Sequence, residues 1–130
     1  MRLSVDDLLL IHRAAVKDLG QPVDEIGSRE IVRLERILED ADFSYPDDPV
    51  GLAADIAVQL ALQALFPVGN YRTAVMAAAV IVDVAGCKLP AAWDELADLL
   101  MQYHGPGTSP GSLSNQVADW LRQQGADSGS

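Results

Sequence analysis

Cysteine is nearly absent from this chain of 130 residues, since Cys87 is the only one. A lone cysteine excludes an internal disulfide, a zinc site built from several cysteines and a CxxC redox motif. Aromatic residues are also scarce, at 5% of the chain, so leucine, alanine, valine and isoleucine must build the core. This composition favours helices over a β-sandwich. The length suits one domain that folds without disulfides.

Basic residues are few, because nine lysines and arginines face nineteen acidic residues and give a formal net charge of −10. Nucleic acids and anionic membranes repel such a surface, since affinity for nucleic acids rests on basic contacts to phosphate. We therefore expect no nucleic-acid partner and no membrane partner. Seven of the nine cations are arginines, which bind phosphate or carboxylate with two parallel hydrogen bonds, so a local anion site stays open.

Long apolar runs are missing as well. The longest run, Ala74–Val82, is far shorter than the roughly 20 residues that a membrane-spanning helix needs. The first residues include acids where a signal peptide carries bases followed by apolar residues. We expect a cytoplasmic protein without a targeting segment.

Apolar spacing and helix-start signals predict an all-α fold of about six helices. Val50–Leu65 and Tyr71–Ala85 are apolar over most of their circumference, so we expect them to be the two central, buried helices. The amphipathic helices are expected from Ser4 to a stop at Gly20, from Ser28, from Pro90 to about Tyr103, and from Ser112 to about Gln124. The prediction is a single domain over 1–124 followed by a flexible tail over 125–130.

Local signals refine two of these helix boundaries. Ser4 is followed by Asp7 in the spacing of a capping box, in which each residue's side chain accepts a hydrogen bond from the other's backbone N–H. The two prolines in Phe43–Pro49 predict that this stretch is not regular helix. Asp47 and Asp48 are interpreted as an acid pair at the start of the next helix rather than as a carboxylate dyad.

The segment between the two apolar helices carries the most informative residues. Gly69, Asn70 and Arg72 stand at the start of a helix, where unpaired backbone N–H groups and the positive end of the helix dipole are exposed. Gly69 lets a ligand approach the backbone, Asn70 is expected to cap the helix, and Arg72 adds a full charge. Together they predict a phosphate cradle. An ordinary helix cap with a surface arginine explains the same residues, and this alternative stays open.

The same segment resembles the signature of the Fic/Doc (Fido) family, His-x-Phe-x-(Asp/Glu/Asn)-(Gly/Ala)-Asn-(Gly/Lys)-Arg. Phe66, Gly69, Asn70 and Arg72 match it in register. Further likeness to Doc proteins follows in the same order along the chain: Leu9, Ile11 and His12 in the first helix, Thr73-Ala74 after the motif, and Val117–Leu121 near the end. The resemblance implies a Fido-type helical bundle.

Four motif positions depart from the family. Ala64 stands where the family has its catalytic His, and Val68 stands where it has the residue that holds Mg²⁺. Leu65 and Tyr71 replace the usual Pro and the usual Gly or Lys. In the family, the His is the general base on a target hydroxyl, and a nucleoside triphosphate donates AMP or phosphate. Alanine takes no proton and valine holds no cation, and loss of a positioned general base costs about 10²–10⁴ in rate.

The resemblance therefore implies a catalytically degenerate Doc-like protein, either a pseudo-enzyme or a binding module of toxin–antitoxin type. We expect no catalytic residue, no metal ligand and no resident cofactor. Gly69, Asn70 and Arg72 are the expected binding residues for a weakly held ATP-type nucleotide, and an antitoxin-like protein or a protein target is the implied partner. Two alternatives stay open: an active nucleotidyl- or phosphotransferase with a displaced general base, and a structural or oligomerising helical protein.

The remaining motifs carry less chemistry. His12 lies on the apolar face of its helix and is interpreted as a core histidine, while His104 is expected to be solvated. Neither has a ligand partner four residues on, so no zinc site is predicted. Gly107–Gly111 fits G-x-S-x-G, but a helix rather than a strand precedes it, which argues against a nucleophile elbow. Phe43–Pro49 occupies the place of the family's target-docking flap, and a plain loop is the alternative.

Overall fold

The structure, a computed structural model, describes residues 3–17, 26–86, 93–102 and 109–125, and these residues form helices and no strand. The helices are α1 (Val5–Val16), α2 (Ser28–Ser44), α3 (Pro49–Gln63), α4 (Asn70–Val84), α5 (Trp93–Gln102) and α6 (Pro110–Gln123). The predicted all-α class with about six helices is confirmed. The predictions made for Gly20, Cys87, Pro90, Tyr103, His104 and the tail beyond Gly125 lie outside the described residues.

The bundle is organised around α3 and α4, as their apolar character predicts. α3 packs against α2, α4 and α6, and α4 packs also against α1 and α5. Large side chains such as Ile56 and Leu60 of α3 and Ile81 of α4 are fully buried. Burying one such side chain contributes about 1.5–3 kcal/mol. The other helices therefore shield these two from solvent with their apolar faces.

The start of α1 confirms the capping box. The Ser4 hydroxyl accepts a hydrogen bond from the Asp7 backbone N–H at 3.2 Å, and the Asp7 carboxylate accepts one from the Ser4 N–H at 2.9 Å. Two backbone donors without a helical partner are thereby satisfied.

The prediction that Phe43–Pro49 is not regular helix is wrong at both ends. α2 continues through Ser44, and Pro49 is the first residue of α3. Only four residues, 45–48, leave the helical conformation. Pro46 disfavours the helical conformation of the residue before it. Pro49 can begin α3 because the N–H groups of a first helical turn have no partner within the helix. The Asp48 carboxylate accepts a hydrogen bond from the Gly51 N–H at 3.1 Å, so Asp48 caps α3 as expected.

Four further boundaries differ from the sequence prediction. α3 ends at Gln63 rather than Leu65, and α4 spans Asn70–Val84 rather than Tyr71–Ala85. α6 begins at Pro110 rather than Ser112, because Ser109 caps it by accepting a hydrogen bond from the Ser112 N–H at 3.1 Å. Among the described helices, none is both long enough and apolar enough to cross a bilayer.

Candidate functional site

The turn between α3 and α4, residues 64–69, holds the motif positions that the sequence singles out. Ala64 ends α3 in the left-handed conformation, with φ 48° and ψ 54°, which a non-glycine residue adopts at an energetic cost. Its side chain is exposed, while Leu65 and Phe66 turn into the core. The reversal of the chain therefore begins at the position where the Fido family carries its histidine.

Gly69 closes the turn with φ 75°, again in the left-handed region. A Cβ built at this position would overlap Cγ1 of Val16, a side chain of α1 that is buried. Glycine is therefore required twice, once by its backbone conformation and once by the contact with α1. This packing accounts for Gly69 without a ligand.

Asn70 does not cap α4, and in this the sequence prediction is wrong. Gly69 is the N-cap, and no side chain bonds the first turn from that position. The Asn70 amide instead turns back to Phe66, whose N–H it accepts at 3.0 Å and to whose carbonyl it donates at 2.9 Å. Asparagine competes with helical bonding in this way because its short amide matches a backbone unit. The paired bonds fasten the turn.

His12 reaches the same turn from α1. Its ring stacks on Phe66, with centroids 4.0 Å apart and planes 8° from parallel. Its Nε2 lies 2.9 Å from the Val68 carbonyl oxygen, so the Nε2–H tautomer donates a hydrogen bond there. The side chain is only 3% exposed. The interpretation of His12 as a core histidine agrees with these contacts, and its partners lie 54 and 56 residues away in the chain.

Thr73 and Arg72 add contacts on the first turn of α4. The buried Thr73 hydroxyl donates to the Gly69 carbonyl at 2.7 Å. The exposed Arg72 side chain runs back toward the end of α1, where Nη1 donates to the Ala15 carbonyl at 3.4 Å. Arg72 is the residue of the predicted cradle whose charged group remains on the surface.

The three predicted binding residues thus come together at one turn, and each has a partner within the chain. Gly69 packs on Val16, the Asn70 amide is used by Phe66, and Arg72 contacts Ala15. Binding of an anion by Gly69, Asn70 and Arg72 stays a prediction. Any such site consists of the backbone N–H groups at the start of α4 and the Arg72 guanidinium, since the Asn70 amide is already bonded.

Ala64 and Val68, two of the four positions that depart from the motif, supply no acid, base or metal ligand. Ala64 has a methyl side chain on the surface, and the half-buried Val68 offers its carbonyl to His12. In the described part of the chain, no group of three or more His, Cys, Asp or Glu residues is arranged to hold a metal ion. The turn and the first turn of α4 therefore offer backbone amides and the Arg72 guanidinium, while positions 64 and 68 offer no side chain that moves a proton.

The other sequence candidates lie elsewhere. Ser109, the serine of the G-x-S-x-G match, uses its hydroxyl to cap α6, and Gly107 lies outside the described residues. The sequence alone did not predict that His12 and Thr73 would bond to the turn. For Thr73 a signal was present, because a hydroxyl residue four positions after a helix N-cap can bond the N-cap carbonyl. No signal connects His12 with Val68, because the contact depends on tertiary packing.

Comparison with protein-family models finds no model that matches this chain, and comparison with curated proteins finds no matching relative.

Proposed function

We propose that this chain is a catalytically degenerate Fic/Doc-like binding module rather than a transferase. The observation that carries the proposal is the turn between α3 and α4. Its motif residues Phe66, Gly69 and Asn70 build a tightly held start of a buried helix. The positions that would move a proton and hold a cation are Ala64 and Val68. A framework of this kind supports binding without chemistry.

A displaced general base receives no support from the described histidine. A histidine base must accept a proton at a ring nitrogen that faces the substrate. The Nε2 of His12 donates to the Val68 carbonyl, and the ring is buried against Phe66. Its position suits a brace for the turn. Its contacts therefore do not suit the role of a displaced general base.

Anion binding at the start of α4 is the part of the proposal that involves a ligand. Arg72 and the first N–H groups of the helix provide a charge and a dipole of the right sign. The net charge of −10 opposes an anionic ligand, and the described residues provide no metal site to offset it. Affinity for ATP or pyrophosphate should therefore be weak, roughly millimolar or about 4 kcal/mol.

A protein partner is the second element of the proposal, and its support is a groove beside Arg72. This groove has a volume of about 360 Å³ and lies between α1, α4 and α5. Its walls are mostly apolar, with Met76 and Trp93 among them, and Arg72 and Asp94 are its charged members. An apolar segment of an antitoxin-like protein, with an acidic residue opposite Arg72, fits this chemistry.

A structural role is the other candidate function, and one specific observation favours it. Contacts within the chain explain Gly69 and Asn70 without a ligand, and Arg72 also bonds the Ala15 carbonyl. On this reading, the motif survives because it folds the turn. The two candidates differ in one measurable property, which is whether the start of α4 responds to phosphate.

Two experiments test the proposal. Purified protein is incubated with ATP labelled on either the α- or the γ-phosphate and with a cell lysate, and we expect no labelled protein. Label that appears on a target and is lost in Arg72→Ala would refute the loss of catalysis. In the second experiment, ATP and pyrophosphate are titrated while backbone amide shifts are followed. Shifts at residues 69–73 that disappear in Arg72→Ala support the binding module, whereas equal, negligible shifts in both proteins favour the structural role.

The variant Ala64→His/Val68→Asp tests whether the loss of these two side chains accounts for the expected absence of transferase activity. It restores the histidine and the acid that the family motif has at positions 64 and 68. Weak transfer activity in this variant would indicate that the rest of a donor site persists. The hydrogen bond between Val68 and His12 uses the backbone carbonyl of Val68, so a change of the Val68 side chain leaves both partner atoms in place.

A further inference from the structure

A polar cleft separates α2 from α3 on a part of the surface that the family resemblance does not involve. Its volume is about 150 Å³. The polar side chains on its walls are Arg33, Arg36 and Asp40 from α2 and Asp55, Gln59 and Gln63 from α3.

The charges in the cleft are separated by sign. Asp40 and Asp55 both line the cleft and form its negative end. Burial raises the pKa of Asp55, the Ser114 hydrogen bond opposes this, and the Asp40 carboxylate reinforces it. Arg33 and Arg36 precede Asp40 on the same face of α2 and form a positive end. With a rise of 1.5 Å per residue, the backbone positions of Arg36 and Arg33 lie about 6 and about 10.5 Å from that of Asp40 along the axis of α2.

The charged groups of the cleft have few partners of their own. Within the part of the chain that the structure describes, Arg33 and Arg36 form no ion pair, in contrast to Arg122, which pairs with Asp119 at 3.3 Å. The carboxylate of Asp55 accepts a long hydrogen bond from the Ser114 hydroxyl at 3.5 Å. Both ends therefore retain hydrogen-bonding capacity.

The middle of the cleft is less polar than its ends. Buried Ile37 lies between the arginines and Asp40. On α3, the Gln63 side-chain amide donates to Oε1 of the Gln59 side chain at 3.0 Å, so these two amides partly satisfy each other. A chain of methylene groups suits this central section.

We propose that the cleft between α2 and α3 binds a small linear zwitterion, an ω-amino acid or a molecule of the same charge spacing, with its carboxylate on Arg33 and Arg36 and its ammonium on Asp40 and Asp55. A ligand of one charge meets a like charge at one end, which costs affinity. An α-amino acid has its two charges too close together to reach both ends. The cavity is also below the 300–1,000 Å³ that is typical for drug-sized ligands, which favours a small occupant.

The test uses ε-aminocaproate as the probe and the whole chain as the protein. Backbone amide shifts are followed during titration, together with two matched probes, caproate without the ammonium and pentylamine without the carboxylate. We expect saturable shifts at residues 33–40 and 55–63, and binding at least about tenfold weaker for each single-charge probe, because each lacks one charge-assisted contact. Glycine, with adjacent charges, should bind as weakly as the single-charge probes.

Matched variants locate the two ends. Arg36→Gln and Asp55→Asn should each weaken ε-aminocaproate binding by about tenfold or more. Arg29→Gln removes an arginine from the same helix but not from the cleft, so binding should be unchanged. Helical circular dichroism of each variant verifies that it is folded. Equal binding of caproate and ε-aminocaproate, equal effects of Arg29→Gln and Arg36→Gln, or no response to any probe would each overturn the proposal.

Discussion

Replacement of Gly69 by alanine should destabilise the fold in two ways, through the backbone conformation of the turn between α3 and α4 and through its contact with α1. The left-handed backbone, with φ 75°, costs an alanine about 1–2 kcal/mol. The added Cβ would also overlap Cγ1 of the buried Val16, and overpacking of this kind costs about 1–3 kcal/mol. The free energy of unfolding should therefore fall by about 2–5 kcal/mol, a large part of the 5–15 kcal/mol that is typical of a domain.

Gly86 provides the matched control for the backbone term. It has φ 95°, and a Cβ built there meets no atom within 4 Å in the described residues. Gly86→Ala should therefore cost only the conformational part, about 1–2 kcal/mol. Both substitutions reduce the entropy of the unfolded chain by a similar amount, so this contribution cancels when the two variants are compared.

Val16→Ala provides the control for the contact, because it removes Cγ1. In a double-mutant cycle, Gly69→Ala should be less costly in the Val16→Ala background, with a coupling of about 1–3 kcal/mol. Urea denaturation followed by circular dichroism gives the free energy of unfolding of the four proteins in the cycle and of Gly86→Ala. Equal losses for Gly69→Ala and Gly86→Ala, or a coupling near zero, would show that contact with α1 does not determine the residue at position 69.

Three further predictions concern individual polar groups. His12→Phe keeps a ring against Phe66 but leaves the Val68 carbonyl without its hydrogen-bond donor. The free energy of unfolding, measured by urea titration, should therefore fall by about 1–3 kcal/mol. An unchanged urea midpoint would show that this hydrogen bond does not stabilise the fold. In Asn70→Asp, the side chain can still accept a hydrogen bond from the Phe66 N–H but no longer donates one to the Phe66 carbonyl. We expect the free energy of unfolding to fall by about 1–2 kcal/mol at neutral pH. An unchanged free energy would mean that the paired bonds contribute little to stability. Burial raises the pKa of Asp55 above its ordinary value, the Ser114 hydrogen bond opposes this and Asp40 reinforces it. The folded state then holds the proton more tightly than the unfolded state, so the contribution of Asp55 to stability falls as pH rises from the ordinary pKa through the raised one. Relative to wild type, Asp55→Asn should gain stability across that window and match it at lower pH, and a pH-independent difference would refute this cause.

The helices were predictable because their determinants are local in sequence. The capping box of Ser4 and Asp7 and the cap at Asp48 involve residues three positions apart, and the apolar circumference of α3 and α4 identifies them as central. The boundaries near Ser44 and Ser112 were harder to predict. A proline marks where a helix must change but leaves open whether it ends before the proline or begins at it.

The contacts of the turn were not predictable, because they depend on which helix packs beside it. Nothing in the sequence around His12 indicates that its ring will meet Phe66 and Val68, and Val16 explains Gly69 only once α1 lies across the start of α4. Asn70 offered two local options, a cap on α4 or a bond back to Phe66, and spacing alone favoured the wrong one.

The same tertiary contacts change how much a short motif can say about function. Gly, Asn and Arg at a helix start match a phosphate cradle, yet Gly69 and Asn70 are each explained by packing and by backbone hydrogen bonds. Only Arg72 keeps an exposed charged group, with a single long bond to Ala15. A contribution of this motif to ligand binding must therefore depend on Arg72 and the N–H groups of α4. For this reason Arg72→Ala separates a binding role from a folding role more sharply than a change at Gly69 or Asn70, which would disturb the turn under either reading.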